Sequence, residues 1–234
     1  MTLVKEASVL VTGANGGLGQ QFVLQALERG AARVYAAARR TRDWDDERVV
    51  PLEMDVTDAR SVDSAADAAP DVSILVNNAG ILRRGSLLTA PMQDVREQME
   101  TNFFGALQVT RSFAPAVIAH GGAIVNIASV LSWVAFGHGY SVSKAALWSA
   151  TNALRLELAP TGVQVLGAYL ATTDTPMNRN AGVPSENDPA DVVRAVLDGL
   201  ERGDDEVLAD DTTRRVRAAL SSPARVLHQS VRTP

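Results

Sequence analysis

The stretch SVLVTGANGGLG, residues 8–19, joins a short apolar run to a glycine-rich turn, and an amphipathic run follows at 20–30. A β-branched apolar run of this length is typical of a strand buried in a parallel sheet. Glycines at the turn permit positive φ angles and let backbone N–H groups approach a pyrophosphate. Because the next helix adds positive partial charge at its N-terminus, the stretch predicts a βαβ unit that binds a nucleotide.

The glycines of this turn are spaced G-x-x-x-G-x-G, which differs from the G-x-G-x-x-G dinucleotide fingerprint. A glycine cluster alone is also compatible with a plain turn. Its place between the first strand and the first helix favours the nucleotide interpretation. The predicted cofactor-binding residues of the turn are Gly13, Asn15, Gly16, Gly17, Leu18 and Gly19.

Strand and helix patterns alternate along the remaining chain. Further strands are predicted at 33–39, 49–56, 72–80, 123–128, 163–169 and 206–210. Helices are predicted at 58–69 (capped by Thr57), 91–103, 103–120, 141–159, 189–203 and, in part, 212–228. This alternation predicts the α/β class, a Rossmann-type doubly wound parallel sheet of about seven strands with helices on both faces. We expect one domain over 1–234, with a short substrate loop at about 172–188.

Composition narrows the class of protein. The chain of 234 residues carries a net charge of −5 and has no cysteine. The acidic balance argues against a general nucleic-acid surface, and the lack of cysteine excludes disulfides, thiol catalysis and thiolate metal sites. No apolar run approaches the ~18 residues of a membrane span, and the N-terminus lacks a signal-peptide pattern. We therefore expect a cytoplasmic protein without a nucleic-acid or membrane partner.

Arginine at the end of the second predicted strand bears on the choice of cofactor. In dinucleotide-binding folds an acidic residue about 20 positions after the glycines binds the ribose 2′-hydroxyl, whereas arginine accommodates a 2′-phosphate. Arg39 and Arg40 occupy this place, and no carboxylate does. Because guanidinium groups form bidentate, charge-assisted bonds with phosphate, we expect NADP(H), with NADPH preferred over NADH. Two solvated strand-end charges are the alternative interpretation.

Tyr140 and Lys144 are four residues apart in a helical pattern, so their side chains lie one turn apart on the same face. The chain has two lysines against twenty arginines, so a lysine at this position invites a chemical explanation. Ser129 follows the strand predicted at 123–128, where ligands bind in open α/β sheets. A phenol, an ammonium group and a hydroxyl that meet in one crevice form an acid–base site. A packed tyrosine beside a solvated lysine is the alternative.

These residues together resemble the short-chain dehydrogenase/reductase family. Each motif alone is weak, whereas the combination is specific and extends over nearly the whole chain. The similar positions are the turn at 12–19, Asp55-Val56, Asn77-Asn78-Ala79-Gly80, Asn102, Ser129 and Tyr140-x-x-x-Lys144.

The resemblance implies hydride transfer between NADP(H) and a small carbonyl or alcohol substrate. It implies that Tyr140 is the general acid/base and that Lys144 holds the nicotinamide ribose. It further implies that Ser129 orients the substrate carbonyl and that Asn102 positions a water for proton relay. The residues alone also fit a structural hydrogen bond for Asn102. The cofactor contacts implied outside the glycine turn are Asp55, Val56, Asn78, Ala79, Gly80, Tyr140, Lys144 and Thr175.

Elementary chemistry agrees with an acid–base role for Tyr140. Hydride addition to a carbonyl leaves an alkoxide that needs a proton. A free tyrosine has a pKa near ~10, so activity near neutrality requires a shift of roughly 3 units. The Lys144 ammonium, the helix N-terminus and an oxidised nicotinamide all favour the phenolate. Ser129 can also stabilise charge that develops on the same oxygen.

Several positions remain open at this stage. The family often carries Pro-Gly after the sixth strand, where this chain has Leu170-Ala171. The resemblance therefore does not predict the backbone path of the loop that follows. Trp133 and Phe136 are candidates for the substrate pocket or for plain core packing, and His138 reads as an exposed loop residue. The resemblance makes the apolar helices at 103–120 and 141–159 a homodimer or homotetramer interface.

Two other functions compete with a carbonyl reductase. One is a β-ketoacyl thioester reductase, whose only sequence support is the basic pair Arg83-Arg84, although solvated charges explain that pair as well. The other is a non-catalytic dinucleotide sensor. Retention of Ser129, Tyr140 and Lys144 argues against the sensor, because a sensor need not keep all three.

Overall fold

A computed structural model describes residues 2–135 and 139–229 and confirms the predicted fold class. Seven parallel strands form one sheet in the order β3-β2-β1-β4-β5-β6-β7. The strands are β1 Ser8–Thr12, β2 Arg33–Ala38, β3 Val49–Glu53, β4 Ile74–Asn77, β5 Ala123–Ile127, β6 Gln164–Tyr169 and β7 Glu206–Leu208.

The helices follow the strands in alternation. They are α1 Gly17–Glu28, α2 Ala59–Ala68, α3 Met92–Met99, α4 Ala106–Ala119, α5 Gly139–Leu158, α6 Pro176–Asn180, α7 Pro189–Arg202, α8 Asp211–Ala218 and α9 Ala224–Gln229. Among the described residues, no helix is both long enough and apolar enough to cross a membrane.

Two apolar layers hold the sheet between its helices. Side chains alternate across a strand, so Val9 and Val11 of β1 pack in one layer and Leu10 packs in the other. The first layer also contains Phe22 of α1, and the second contains Phe113 of α4. Both faces of the sheet are therefore buried, which explains why the strands read as continuous apolar runs.

Several predicted boundaries were wrong. Asp58, rather than Thr57, caps α2 by accepting a hydrogen bond from the backbone N–H of Arg60. The strand predicted at 72–80 ends at Asn77, because the polar residues beyond it turn back toward β1. The segment 172–188 is also more ordered than a loop, since α6 forms within it.

The helices predicted at 91–103 and 103–120 form one continuous helical path. A π-helical segment, Glu100–Gly105, joins α3 to α4. Gly105 lies here, and a Cβ on it would stand 2.9 Å from a methyl carbon of Val56 and 3.0 Å from the Val56 carbonyl oxygen. The close approach of this segment to the chain after β3 explains why a small residue occupies the position.

The start of α1 lies against the turn that precedes it. A Cβ on Gly19 would stand 2.1 Å from the carbonyl oxygen of Gly13 and 2.8 Å from Nδ2 of Asn78. Gly16, three residues earlier, has an extended backbone with a φ of −168°, and a Cβ there would meet nothing within 4 Å. There is therefore no room for a side chain at Gly19, whereas there is open space for one at Gly16.

We predict that Gly19→Ala lowers stability by about 1–3 kcal/mol, because the added methyl group forces the helix away from the turn. Gly16→Ala is the control, because its added methyl group meets nothing within 4 Å, and it should lower stability by less than Gly19→Ala does. Urea unfolding followed by circular dichroism measures both variants. Equal stability of the two variants would contradict the close packing of α1 on the turn.

Candidate active site

Two cavities lie along the carboxyl ends of the strands, and they share Gly13, Arg39, Ala79 and Gly80 in their walls. The first, of about 1180 Å³, is also lined by Asn15, Asp55 and Val56. The second, of about 1010 Å³, is lined in addition by the predicted residues Gly16, Gly17, Leu18, Asn78, Ser129, Tyr140, Lys144 and Thr175. The fold thus gathers positions that lie more than 160 residues apart in the sequence along one edge of the sheet.

Gly19 and Asn102 are the predicted site residues that line neither cavity. Gly19 lies behind the turn, where its lack of a side chain permits the close packing of α1. Asn102 is 1% exposed, and both N–H groups and the oxygen of its amide have partners. Its Nδ2 donates to the Ile81 carbonyl at 3.0 Å and to Ser143 Oγ at 2.9 Å, while its Oδ1 accepts from the Ile81 backbone N–H at 2.8 Å. These contacts give Asn102 a structural role, which is to connect Ile81 to Ser143 of α5. Its water-positioning role remains a prediction.

Thr12 connects the glycine turn to the polar end of β4. Its Oγ1 accepts hydrogen bonds from the backbone N–H groups of Asn78 and Ala79, both at 2.9 Å. Asn78 returns the contact, since its Nδ2 donates to the Thr12 carbonyl at 2.8 Å. Gly13 has a φ of 65°, and a Cβ there would stand 3.1 Å from Cα of Ala79. These contacts set the shape of the turn before any ligand binds.

A chain of buried side-chain hydrogen bonds behind the cavity, here called the polar ladder, was not predicted from the sequence. Asn77 Nδ2 donates to Thr110 Oγ1 and to Asn126 Oδ1, each at 2.9 Å, and Asn126 Nδ2 donates to Thr151 Oγ1 at 2.9 Å. The polar ladder ties β4 to β5, β4 to α4 and β5 to α5. The available signal was the lone asparagine inside the apolar run AIVNIA at 123–128.

The first cavity contains the arginine that bears on cofactor choice. Arg39 is exposed at the end of β2, and Asn15 Nδ2 donates to the Arg40 carbonyl at 2.6 Å. Partial burial raises the pKa of Asp55, but hydrogen bonds from Thr57 and the positive charge of Arg39 outweigh burial and hold that pKa below its ordinary value. The wall of this cavity is therefore charged, with a guanidinium group and a carboxylate close together.

In the second cavity, Ser129, Tyr140 and Lys144 come together as the sequence predicts. The Ser129 hydroxyl lies close enough to the Tyr140 phenol to lower its pKa. Lys144 is 4% exposed, and its Nζ lies 5.6 Å from the centre of the Tyr140 ring. The same Nζ donates to the carbonyl oxygen of Ile127, at the end of β5, at 2.7 Å.

Burial dominates the protonation of this group. It raises the pKa of Tyr140 to about 12, although the hydrogen bond from Ser129 pulls the value down. It also lowers the pKa of Lys144 to about 8, because an ammonium group loses hydration inside the protein. The expected depression of the Tyr140 pKa is thus absent in the free protein. The Lys144 amine titrates near neutral pH, and Tyr140 keeps its proton there.

Two of the remaining candidates have structural roles. Trp133 packs in the core, stacked on Tyr169 with ring centres 4.5 Å apart, so pocket contact is not its role. Arg83 forms a half-exposed ion pair with Glu97 at 3.4 Å. Arg83 also lines the first cavity, whereas Arg84 lines the second and donates to the Ala181 carbonyl at 2.6 Å. Phe136 and His138 lie outside the described residues. Over 2–135 and 139–229, no group of three or more histidines and carboxylates is placed to hold a metal ion.

Comparisons with known proteins agree with this geometry. A family model described as short chain dehydrogenase matches residues 7–185. A short-chain dehydrogenase from Burkholderia cenocepacia, solved in complex with NADP, is 38% identical, with a TM-score of 0.91. The similarity covers 99% of this chain and 100% of the solved chain.

Two curated relatives carry activities in their names. The NADPH-dependent 1-acyldihydroxyacetone phosphate reductase of Schizosaccharomyces pombe is 36% identical over 171 residues. That match covers 68% of this chain but 57% of the yeast protein, so this chain spans less than two thirds of that relative. Ketoacyl reductase HetN of Nostoc sp. is 29% identical over 232 residues, which cover 90% of this chain and 80% of HetN.

We predict that the buried Lys144 makes stability rise with pH. Its pKa is about 8 in the folded protein against an ordinary 10.5, so the unfolded chain binds more protons between these values and unfolding becomes harder as pH rises. Between pH 8 and pH 10, wild type should gain on the order of 1–2 kcal/mol relative to Lys144→Met. Urea unfolding at each pH measures the difference. The control is Lys5→Met, which removes the chain's other lysine at an exposed position. Parallel curves for wild type and Lys144→Met would contradict the prediction.

Proposed function

Because the chain belongs to the short-chain dehydrogenase/reductase family and is therefore an oxidoreductase, we propose that it transfers a hydride between NADP(H) and a carbonyl or alcohol substrate. Tyr140 is the general acid/base of this reaction. The observation that carries the proposal is the meeting of Ser129, Tyr140 and Lys144 at one cavity that also contains the glycine turn.

The walls of the two cavities fit a dinucleotide. Side chains at Gly13 and Gly17 would fill the turn, since a Cβ on Gly13 would stand 3.1 Å from Cα of Ala79 and one on Gly17 would stand 3.2 Å from a Thr175 methyl group. Bare backbone at these points leaves room for a pyrophosphate. We propose that Asp55 and Val56 flank the adenine and that Lys144 and Thr175 hold the nicotinamide end.

NADP(H) is the proposed cofactor. Arg39 reaches into the walls of both cavities from the end of β2, and a guanidinium group there can bind a 2′-phosphate. The names of the yeast relative and of the Burkholderia complex support this choice. When bound, the cofactor supplies or accepts the hydride, and the protein must then manage the proton on the substrate oxygen.

Tyr140 is suited to donate that proton. Its raised pKa keeps the phenol protonated at neutral pH, so it can act as the acid when a carbonyl is reduced. The Ser129 hydroxyl stabilises the phenolate that remains, because its hydrogen bond favours the charged form. Lys144 can return to the ammonium form below a pH of about 8, which places a positive charge one helical turn from the phenolate. The free protein therefore has the proton for carbonyl reduction already in place on Tyr140.

Two alternatives keep some support. A β-ketoacyl thioester reductase is favoured by Arg84 in the wall of the second cavity and by the likeness to HetN. Comparing turnover of a free β-keto ester with that of the carrier-linked thioester separates it from a general carbonyl reductase. A dinucleotide sensor is disfavoured because the buried Lys144 is costly to keep without a chemical use.

We further propose one domain over 1–234, a cytoplasmic location and a homodimer or homotetramer. The proposed contact uses α4 and α5, where Ile118, Val142 and Leu156 are exposed although they are apolar. Leu156 alone is 78% exposed, and apolar surface of this kind is typical of an interface.

We predict that Tyr140→Phe lowers kcat by at least about a thousandfold, because the phenol is the proposed proton donor. The dissociation constant for NADPH should change by less than about threefold. The matched control is Tyr35→Phe, since the Tyr35 hydroxyl bonds to Asp71 instead of lining either cavity. Nicotinamide absorbance over a panel of carbonyl substrates gives the rates. Turnover that survives in Tyr140→Phe would sink the proposed role.

We predict that Arg39→Ala weakens NADPH binding by about tenfold or more while NADH binding changes little, since the lost charge-assisted bonds involve the 2′-phosphate. The control is Arg60→Ala on the exposed start of α2. Fluorescence titration with the two cofactors measures the ratio. Tighter binding of NADH than NADPH by wild type would refute the argument from Arg39.

A further inference from the structure

Asp210 is a buried carboxylate between β7 and α8, with 7% of its surface exposed. One oxygen, Oδ1, accepts from the backbone N–H of Thr213 at 2.7 Å and so caps α8. The other, Oδ2, accepts from the backbone N–H of Ala171 at 2.7 Å and from Nδ2 of Asn187 at 3.1 Å. One carboxylate therefore joins three segments that lie far apart in the sequence.

The contact with Ala171 continues the hydrogen bonding between β6 and β7 past the ends of these two strands. The backbone N–H of Ala209 donates to the Tyr169 carbonyl at 2.9 Å, which is the last backbone bond between these two segments. At the next step along β6 the Asp210 side chain takes the place of a strand and accepts from Ala171. An ionised acceptor makes a stronger bond to an N–H group than a carbonyl does.

The same peptide group faces Ser129 on its other side. The carbonyl of Leu170, which shares its peptide bond with the N–H of Ala171, accepts from the Val130 backbone N–H at 2.9 Å, and its oxygen lies 3.4 Å from Ser129 Oγ. This peptide is thus held between Asp210 and the segment that presents Ser129. Leu170 and Ala171 both line the second cavity.

Asn187 carries the connection into the segment before α7. Its Nδ2 and its backbone N–H both donate to the Thr172 carbonyl, at 3.2 and 3.1 Å. Its own carbonyl accepts from the backbone N–H of Asp174 at 2.9 Å. Through Asn187, Asp210 closes the base of the segment 172–187 that forms much of the cavity wall.

We propose that Asp210 is a positioning residue for the reaction, which fixes the Leu170–Ala171 peptide and, through it, the place of Ser129 relative to Tyr140. The proposal rests on the proposed function. Helix capping alone does not account for Asp210. The caps Asp58 and Asp188 are exposed, and each accepts one hydrogen bond from its own helix. At Asp210 the cap uses one oxygen, and the other is given to the cavity wall.

The test separates the cap from the contact with the wall. Serine is as good a cap as aspartate, but its shorter side chain does not reach Ala171. Asp210→Ser should therefore keep α8 folded and lower kcat about ten- to a hundredfold, because small displacements of reacting groups are costly. The dissociation constant for NADPH, measured by fluorescence, should change by less than about threefold. Asp58→Ser is the matched control and should leave kcat unchanged.

Amide hydrogen exchange gives a readout that does not depend on turnover. The peptide that contains Ala171 should exchange at least about tenfold faster in Asp210→Ser than in wild type, while peptides from β1 and α1 stay unchanged. Should Asp210→Ser fail to fold, Asp210→Asn, which keeps the length and the cap, is measured against the same thresholds.

The outcomes distinguish the two proposals. An unchanged kcat in a folded variant overturns the positioning role of Asp210. An equal loss of kcat and of NADPH affinity also overturns it, because that pattern indicates general damage to the site. A wild-type protein that binds NADPH but reduces no carbonyl of the panel overturns the proposed function. Unchanged exchange at Ala171 in Asp210→Ser then also overturns the claim that Asp210 holds the Leu170–Ala171 peptide.

Discussion

Parallel pairing of β1 with β4, of β4 with β5 and of β5 with β6 is the constraint on which the rest of the structure depends. It brings every carboxyl end to one edge, so the glycine turn, the polar end of β4 and Ser129 become neighbours. Helices must then cover both faces, because each strand is apolar on both sides. The polar ladder from Asn77 to Thr151 fixes the register of the central strands against α5. The helix that carries Tyr140 and Lys144 is thereby held beside the end of β5.

Burial is the second effect that shapes the site, because it shifts the pKa values of Lys144 and Tyr140. Lys144 has lost its hydration and keeps one carbonyl partner, Ile127, so its charged form is disfavoured. Tyr140 is shifted in the opposite direction for the same reason, because burial disfavours a phenolate as it disfavours an ammonium group. The free protein therefore stores a proton on the phenol. A cation bound near the pair would favour the phenolate, so occupancy of the site and proton release are physically linked.

The sequence predicted much of the site and some of the fold in detail. The spacing of Tyr140 and Lys144 and the place of Ser129 after an apolar run were enough to bring the three together. The glycine turn was readable because positive φ at Gly13 and close packing at Gly19 tolerate little else. The end of β4 was misjudged, since it depends on the hydrogen bonds that Thr12 of the distant β1 makes.

By itself, the sequence determined the order of strands and helices along the chain, the glycine turn and the choice of Ser129, Tyr140 and Lys144 as site candidates, because these follow from local periodicity and residue type. Only the tertiary structure decided that Trp133 packs in the core, that both N–H groups and the oxygen of the Asn102 amide have partners, and that Asp210 holds the Leu170–Ala171 peptide. Each of these outcomes depends on partners that are remote along the chain. Local patterns contain no information on such partners, whereas burial and hydrogen bonding in the folded protein select them.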